Sequence, residues 1–460
     1  MPPASLPSRR EEFRELWKLA LPVAIAQAGQ AMMSLVDTAV VSRAGTESLA
    51  AIGVATSVFF AVSSLAVGLM MGVDPLMSQA FGARNATRAR ALLWQGSYLA
   101  LLAGSVLAVP MVVVVPWLLP LFGVGAGELP LVQDYLAWRA PSLPLVLLFI
   151  NTRSYLQAAA LTRPLVVATV VANIFNLGAD ILFVFGGEVL PAWCGPLRLI
   201  PAMGVKGSAI ATLLCCVLQW AIVAWSVRQI PVSGGLPSVR PVRADILQAL
   251  RVGVPIGLHI TAEVGVFSLA GLLARKLGPE SMSAHQIAIS YASLSFTVAM
   301  GIGNAGSVRV GWAVGARDTP RARMSGLMAF VSGAGFMSLC ALVFALFPEP
   351  LARLMGTPSE VIPLLVPLLM VGAVFQISDG IQGVGAGVLR GAGETRFTFL
   401  ANLVGHYGVG LPVALLLGFG LKLGVVGIWW GLCLGLTTVA LALFWRFERQ
   451  SAGTLRPLEA

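Results

Sequence analysis

Long apolar runs separated by short polar segments recur along the whole chain, at 16–41, 50–80, 91–118, 131–157, 163–187, 204–228, 245–274, 284–313, 324–348, 360–389, 396–420 and 424–446. A helix of about 20 apolar residues crosses the roughly 30 Å hydrocarbon layer, so the pattern predicts twelve spans. Isolated strands and loops would leave backbone polar groups unsatisfied in lipid. Every run is therefore read as a helix, which makes the chain an all-α polytopic membrane protein. Six runs fall in each half.

The halves repeat each other. Shifting residues 21–90 by 233 lays them over 254–323 with 16 identities among 70 positions. The matches include polar loop residues that an apolar bias does not explain. Gly45, Glu47 and Ser48 fall on Gly278, Glu280 and Ser281, and Gly82-Ala83-Arg84 on Gly315-Ala316-Arg317. Thr162-Arg163 falls on Thr395-Arg396, and further on Gly204-Val205 matches Gly424-Val425 at a shift of 220. A fixed spacing of this kind marks a duplication. An even number of spans per repeat inserts both copies with one orientation, related by a pseudo-twofold along the membrane normal. The predicted organisation is a tail at 1–15, a six-helix lobe at 16–228, a linker at 229–244 rich in Pro, Gly and Ser, a second six-helix lobe at 245–446 and a tail at 447–460.

Composition agrees with the pattern, since 57% of residues are hydrophobic and 11% charged against about 25% charged in soluble domains. The net charge of +10 does not form one basic face, so it is not read as a nucleic-acid surface. With both termini cytoplasmic, 22 of the 30 Lys and Arg residues lie on inner segments and flanks, as the positive-inside rule requires. The expected location is a plasma membrane, here the bacterial inner membrane. The five cysteines show no metal-ligand spacing, and no cofactor is expected.

An acid within a span costs several kcal/mol unless paired or hydrated, so each is a functional candidate. Asp37 and Asp180 lie ~8 and ~10 Å from the outer ends of their spans at 1.5 Å per residue, deep enough together to share a cation or proton. Asn176 and Asn173 add neutral oxygens near Asp180. Carboxylate and amide oxygens suit a hard cation. Glu263 and Asp379 lie nearer mid-depth, and His259, four residues before Glu263, shares its helical face. None of these acids recurs in the other repeat, so the halves have specialised. Asp74 and Arg309, ~10 and ~6 Å from the inner surface, are predicted to pair as a cytoplasmic gate. Gly301-Ile302-Gly303-Asn304-Ala305-Gly306 fits a dinucleotide-loop spacing but lies inside a span. It is read as small residues for close helix packing. No catalytic constellation or Walker lysine is present, so neither an enzyme nor an ATPase is expected.

Several motifs together resemble the multidrug and toxic compound extrusion (MATE) family, and within it the NorM-like branch. They are Leu21-Pro22, Val36-Asp37-Thr38, Gly82-Ala83-Arg84, Asn173 with Asn176 and Asp180, and Val254-Pro255 with Glu263. Ala284-His285-Gln286, Val308-Arg309-Val310-Gly311 and Leu389-Arg390-Gly391-Ala392-Gly393 complete the set. The resemblance implies two lobes forming a V around a central cavity. It also implies export of cationic drugs and dyes against Na⁺ or H⁺. It suggests Asp37, Asn176 and Asp180, with Asn151, as a first-lobe cation site, and Glu263 and Asp379 as acids of the second. Na⁺ thus has two candidate seats. Phe375 stands where the family would place a supporting tyrosine. The expectation is a cation-coupled antiporter, in contact with lipid and working as a monomer. The alternative is a flippase for a lipid-linked precursor, which would want basic residues at mid-depth.

Overall fold

A computed structural model describes residues 8–122, 125, 127–189, 191–232, 235 and 239–458. Among them, helices are the only extended regular elements. The first half holds α1 (Arg9–Val41), α2 (Thr46–Met70), α3 (Val73–Gly82), α4 (Ala86–Val113), α5 (Val115–Leu118), α6 (Leu129–Arg139), α7 (Ser142–Ala158), α8 (Arg163–Phe185) and α9 (Gly204–Ser226). The second holds α10 (Arg243–Lys276), α11 (Pro279–Gly315), α12 (Thr319–Leu346), α13 (Pro348–Leu354), α14 (Ile362–Gly391), α15 (Arg396–Leu403), α16 (Leu411–Leu415) and α17 (Gly424–Ser451).

Eleven helical stretches among the described residues are long and apolar enough to cross a membrane. The twelfth predicted span, 131–157, is divided between α6 and α7. Pro141 sits at the division, where its ring removes a backbone donor, while Ala140 and Pro141 themselves keep helical dihedrals. The break between α2 and α3 has a similar cause. Pro75, the third residue of α3, cannot donate to the Met71 carbonyl one turn back. Both terminal helices outrun the sequence expectation, since α1 begins at Arg9 rather than 16 and α17 ends at Ser451 rather than 446. The linker at 229–244 falls partly outside the described residues.

The duplication is written into the backbone. At the shift of 233, Gly45 and Gly278 have φ of 122° and 121°, and Arg84 and Arg317 have 59° and 58°. A non-glycine residue enters this left-handed region at a cost, and here two arginines do so at equivalent turns. The starts of α4 and α12, and of α8 and α15, also coincide at that shift, and those of α9 and α17 at 220. One pair of counterparts diverges. Where α8 is a regular helix, its mate passes from α15 through π-helical turns at Val404–Gly410 and, beyond α16, at Leu416–Gly420. Such wide turns are rare and concentrate at functional sites.

The chain forms two compact units that do not follow the midpoint of the sequence. One gathers the residues up to Ala24, Asp74–Asn85 and Val252–Ala460; the other holds Ile25–Val73 and Ala86–Arg251. The inner part of α1 and all of α3 therefore pack with the second half. In that unit α3 crosses the C-terminal part of α11 through small residues. A Cβ on Gly82 would strike the Trp312 backbone, one on Gly315 the Gln79 backbone, and one on Gly311 the Ser78 side chain. The repeat shift sends Gly82 to Gly315, Gln79 to Trp312 and Ser78 to Gly311. The contact is thus isologous, with Ser78 meeting its own repeat counterpart Gly311. The glycine-rich stretch of α11 packs as expected. A Cβ on Gly303 would meet the Gly383 carbonyl at 2.9 Å, and one on Gly306 the Ala329 Cβ at 2.9 Å.

Candidate functional site

In the unit containing most of the first half, α1, α8 and α9 converge on a buried polar cluster. Asp37 from α1 is 8% exposed, and Asp180 and Asn176 from α8 are fully buried. Asp37, Ser208 and Asn176 are the polar neighbours that act on the Asp180 carboxylate. Neither Asp180 oxygen has a hydrogen-bond partner, and the same holds for Asp37 Oδ1, Asn176 Oδ1 and Ser208 Oγ. Orphaned buried oxygens are rare because each forfeits its hydration. A cluster of them, two acids included, gathers unshared lone pairs and carboxylate oxygens at one buried place. Thr212 Oγ1 lies 3.2 Å from Asp37 Oδ2 and 2.9 Å from the Ser208 carbonyl. It has one proton to donate. When that proton goes to the carbonyl, a lone pair is left facing Asp37.

The two other predicted asparagines make hydrogen bonds between helices. Asn173 Nδ2 donates to the carbonyls of Gly29 at 3.0 Å and Thr169 at 2.8 Å, tying α8 to α1. Asn151 Nδ2 donates to the Leu93 carbonyl at 2.9 Å and to Ser97 Oγ at 3.1 Å, tying α7 to α4. Both asparagines thus tie neighbouring helices through Nδ2, while Asn173 Oδ1 and Asn151 Oδ1 are buried without a hydrogen-bond partner.

The second cluster lies in the other unit. His259 Nε2 and Glu263 Oε2, one turn apart on α10, are 3.0 Å apart. Gln382 Nε2 of α14 donates to Glu263 Oε2 at 3.3 Å, and Asn402 Nδ2 approaches His259 Nε2 at 3.5 Å. Asp379, one turn before Gln382 on α14, is 5% exposed and feels the charge of Glu263. His406, in the first π-helical turn, is buried with both ring nitrogens unpartnered and packs edge-on against Phe267 at 6.1 Å. Phe375 stacks with Trp429 at 5.5 Å and Phe267 at 6.1 Å, so it lends this cluster apolar walls and no hydroxyl.

The predicted gate has different partners. Arg309 grips Glu12 with two hydrogen bonds of 2.5 Å, and Ser325 Oγ donates to the same carboxylate at 2.6 Å. Asp74 faces Arg390 at 3.6 Å, while Arg390 also donates to Asn304 Oδ1 at 2.6 Å. The expected Asp74–Arg309 pair is thus replaced by two pairs. The reason lies in α1, whose extra inner turns bring Glu12 into the core. Ser208, Thr212, Gln382, Asn402, Glu12 and Arg390 were all missed as site residues by sequence reasoning that searched the spans for acids.

The family model described as MatE matches this chain twice, over residues 22–182 and 255–416. The chain belongs to the MatE family. The two matches begin one repeat shift apart, so each copy matches the family model by itself. The probable multidrug resistance protein NorM of Bradyrhizobium diazoefficiens is 34% identical over 457 residues, covering 95% of this chain and 93% of that protein. The multidrug resistance protein NorM of Burkholderia vietnamiensis is 32% identical over 463 residues, covering 98% and 97%. Among solved structures, the eukaryotic MATE transporter AtDTX14 matches with a TM-score of 0.82 at 22% identity, covering 96% of this chain and 98% of that one. An outward-facing multidrug resistance MATE family transporter of the MOP superfamily matches with a TM-score of 0.85 at 21% identity, covering 96% of each. The MATE fold and the NorM-like membership expected from the sequence are both borne out.

Proposed function

We propose that this MatE-family protein is a secondary active antiporter that exports amphipathic organic cations in exchange for Na⁺ or H⁺. One observation carries the reading. Among the described residues, Asp37 and Asp180 together hold three buried carboxylate oxygens without a partner in one cluster, with a further one on Asp74, which lies beside Arg390, whereas the buried bases Arg309 and Arg390 each face a carboxylate. A buried, unpaired carboxylate is costly, and binding a monovalent cation or a proton removes that cost. The same negative charge attracts a cationic drug, so loading the acids with the coupling ion cancels the attraction and releases the drug. The names of the NorM relatives support a multidrug substrate class. A flippase for an anionic lipid precursor would instead need basic groups free to hold phosphate.

The reading is tested in cells. Glu263→Gln and Asp379→Asn are expected to abolish ethidium resistance while the protein still reaches the membrane. Full resistance in either variant would refute a role for the second cluster.

A further inference from the structure

Arg139 ends α6, where the fourth predicted span breaks. Its guanidinium lies 4.2 Å from the centre of the Phe59 ring. Nη1 donates to Ser142 Oγ at 2.6 Å and approaches Cys216 Sγ at 3.9 Å. Cys216 and Thr212 are four residues apart on α9, hence on one face with a rise of about 6 Å. Thr212 Oγ1 reaches Asp37, and Cys216 Sγ reaches Arg139. One face of α9 thus meets the acidic cluster through Thr212 on one turn and the Arg139 guanidinium through Cys216 on the next. The charge of Arg139 acts on Asp37, Tyr135 and Cys216, and that of Asp37 acts in turn on Asp180 and Cys215.

We infer that Arg139 is a built-in counter-cation that sets how many coupling cations the first-unit cluster accepts. The inference rests on the antiport reading above. Two ionised acids alone carry a charge of −2 and would take two monovalent cations to reach neutrality. With Arg139 beside them the cluster carries −1, and one suffices. In a low-dielectric interior a residual charge is expensive, so the count follows the net charge. Arg139 need not touch the coupling ion. It is a positioning residue acting through the field at Asp37. Ser142, bonded to Nη1 and fully buried, together with Phe59 holds the guanidinium at this distance.

The test uses the full-length protein in proteoliposomes. The ethidium gradient held at steady state is measured against an imposed ΔpH or Na⁺ gradient, which gives cations exchanged per ethidium. Arg139→Gln and Arg139→Met remove the charge, the second keeping an apolar stem against Phe59. Each is expected to exchange one more cation per ethidium than wild type, with the half-saturating cation concentration lowered at least about tenfold. Arg139→Lys keeps the charge and should keep the wild-type ratio. Ser142→Ala loosens the anchor without changing charge and should also keep it. An unchanged ratio in both neutral variants, loss of coupling in neutral variants that reach the membrane, or a shifted ratio in Ser142→Ala would overturn the inference. Failure of wild type to couple at all would instead strike the antiport reading.

Discussion

Asp37 and Asp180 were legible in the sequence because a charge inside a span is expensive and so announces itself. Ser208 and Thr212 were not, because hydroxyls in membrane helices commonly bond their own helix, as Thr212 does to the Ser208 carbonyl. Only the assembled bundle shows that they also border the acids. Two acids sharing neighbours act as one unit. Asp37→Asn, Asp180→Asn and the double variant should therefore lose transport to similar, non-additive extents, measured as initial efflux rates; strictly additive losses would separate the two residues. Glu12 was illegible for another reason, since it sits in a mixed run of Arg and Glu that reads as a solvated tail. It is fully buried against Arg309. Arg309→Met should cost about 3–5 kcal/mol by stranding that carboxylate, and adding Glu12→Gln should restore much of the loss in thermal unfolding. If the double variant is as unstable as the single, the stranded charge is not the cause.

At the scale of elements, the apolar runs located the helices, and prolines decided where they break. The position of Pro141 was visible in the sequence; that the helical hydrogen bonds would lapse there while Ala140 and Pro141 keep helical dihedrals depends on the packing around it. The contact between α3 and α11 shows what periodicity cannot. The repeat predicted that the two segments are symmetry mates, and glycines at equivalent positions let them meet backbone to backbone. Gly82→Ala and Gly315→Ala should each destabilise by about 1–3 kcal/mol, because a Cβ there meets backbone that has no rotamer to yield. Gly53→Ala, in a helical position with open space around its Cβ, should be neutral or stabilising by roughly 0.5–1 kcal/mol. Equal effects at all three positions would show that the crossing is not close-packed.

At the scale of the molecule, a duplicated chain has kept its helices and turns while diverging in its charges. The recurring φ values hold the two copies to one backbone plan, yet Asp37 and Asp180 have Ala270 and Val413 as repeat counterparts, and Glu263 has Gln30. Gln30 donates to Gln219 at 3.0 Å, a neutral bond where the other copy holds an acid beside a histidine. The two units also trade segments, since 74–85 and the start of α1 pack with the second half. That exchange was not legible in the sequence, because the hydrophobic pattern marks which residues leave water and not which neighbour they join. The central claim is that partnerless buried acids couple cation entry to drug exit. It is tested most directly by ethidium transport in proteoliposomes holding the wild-type protein, with ΔpH and a Na⁺ gradient imposed separately and no nucleotide present. The account predicts uphill ethidium movement driven by at least one gradient and lost in Asp180→Asn; transport that ignores both gradients, or that survives unchanged in Asp180→Asn, would contradict it.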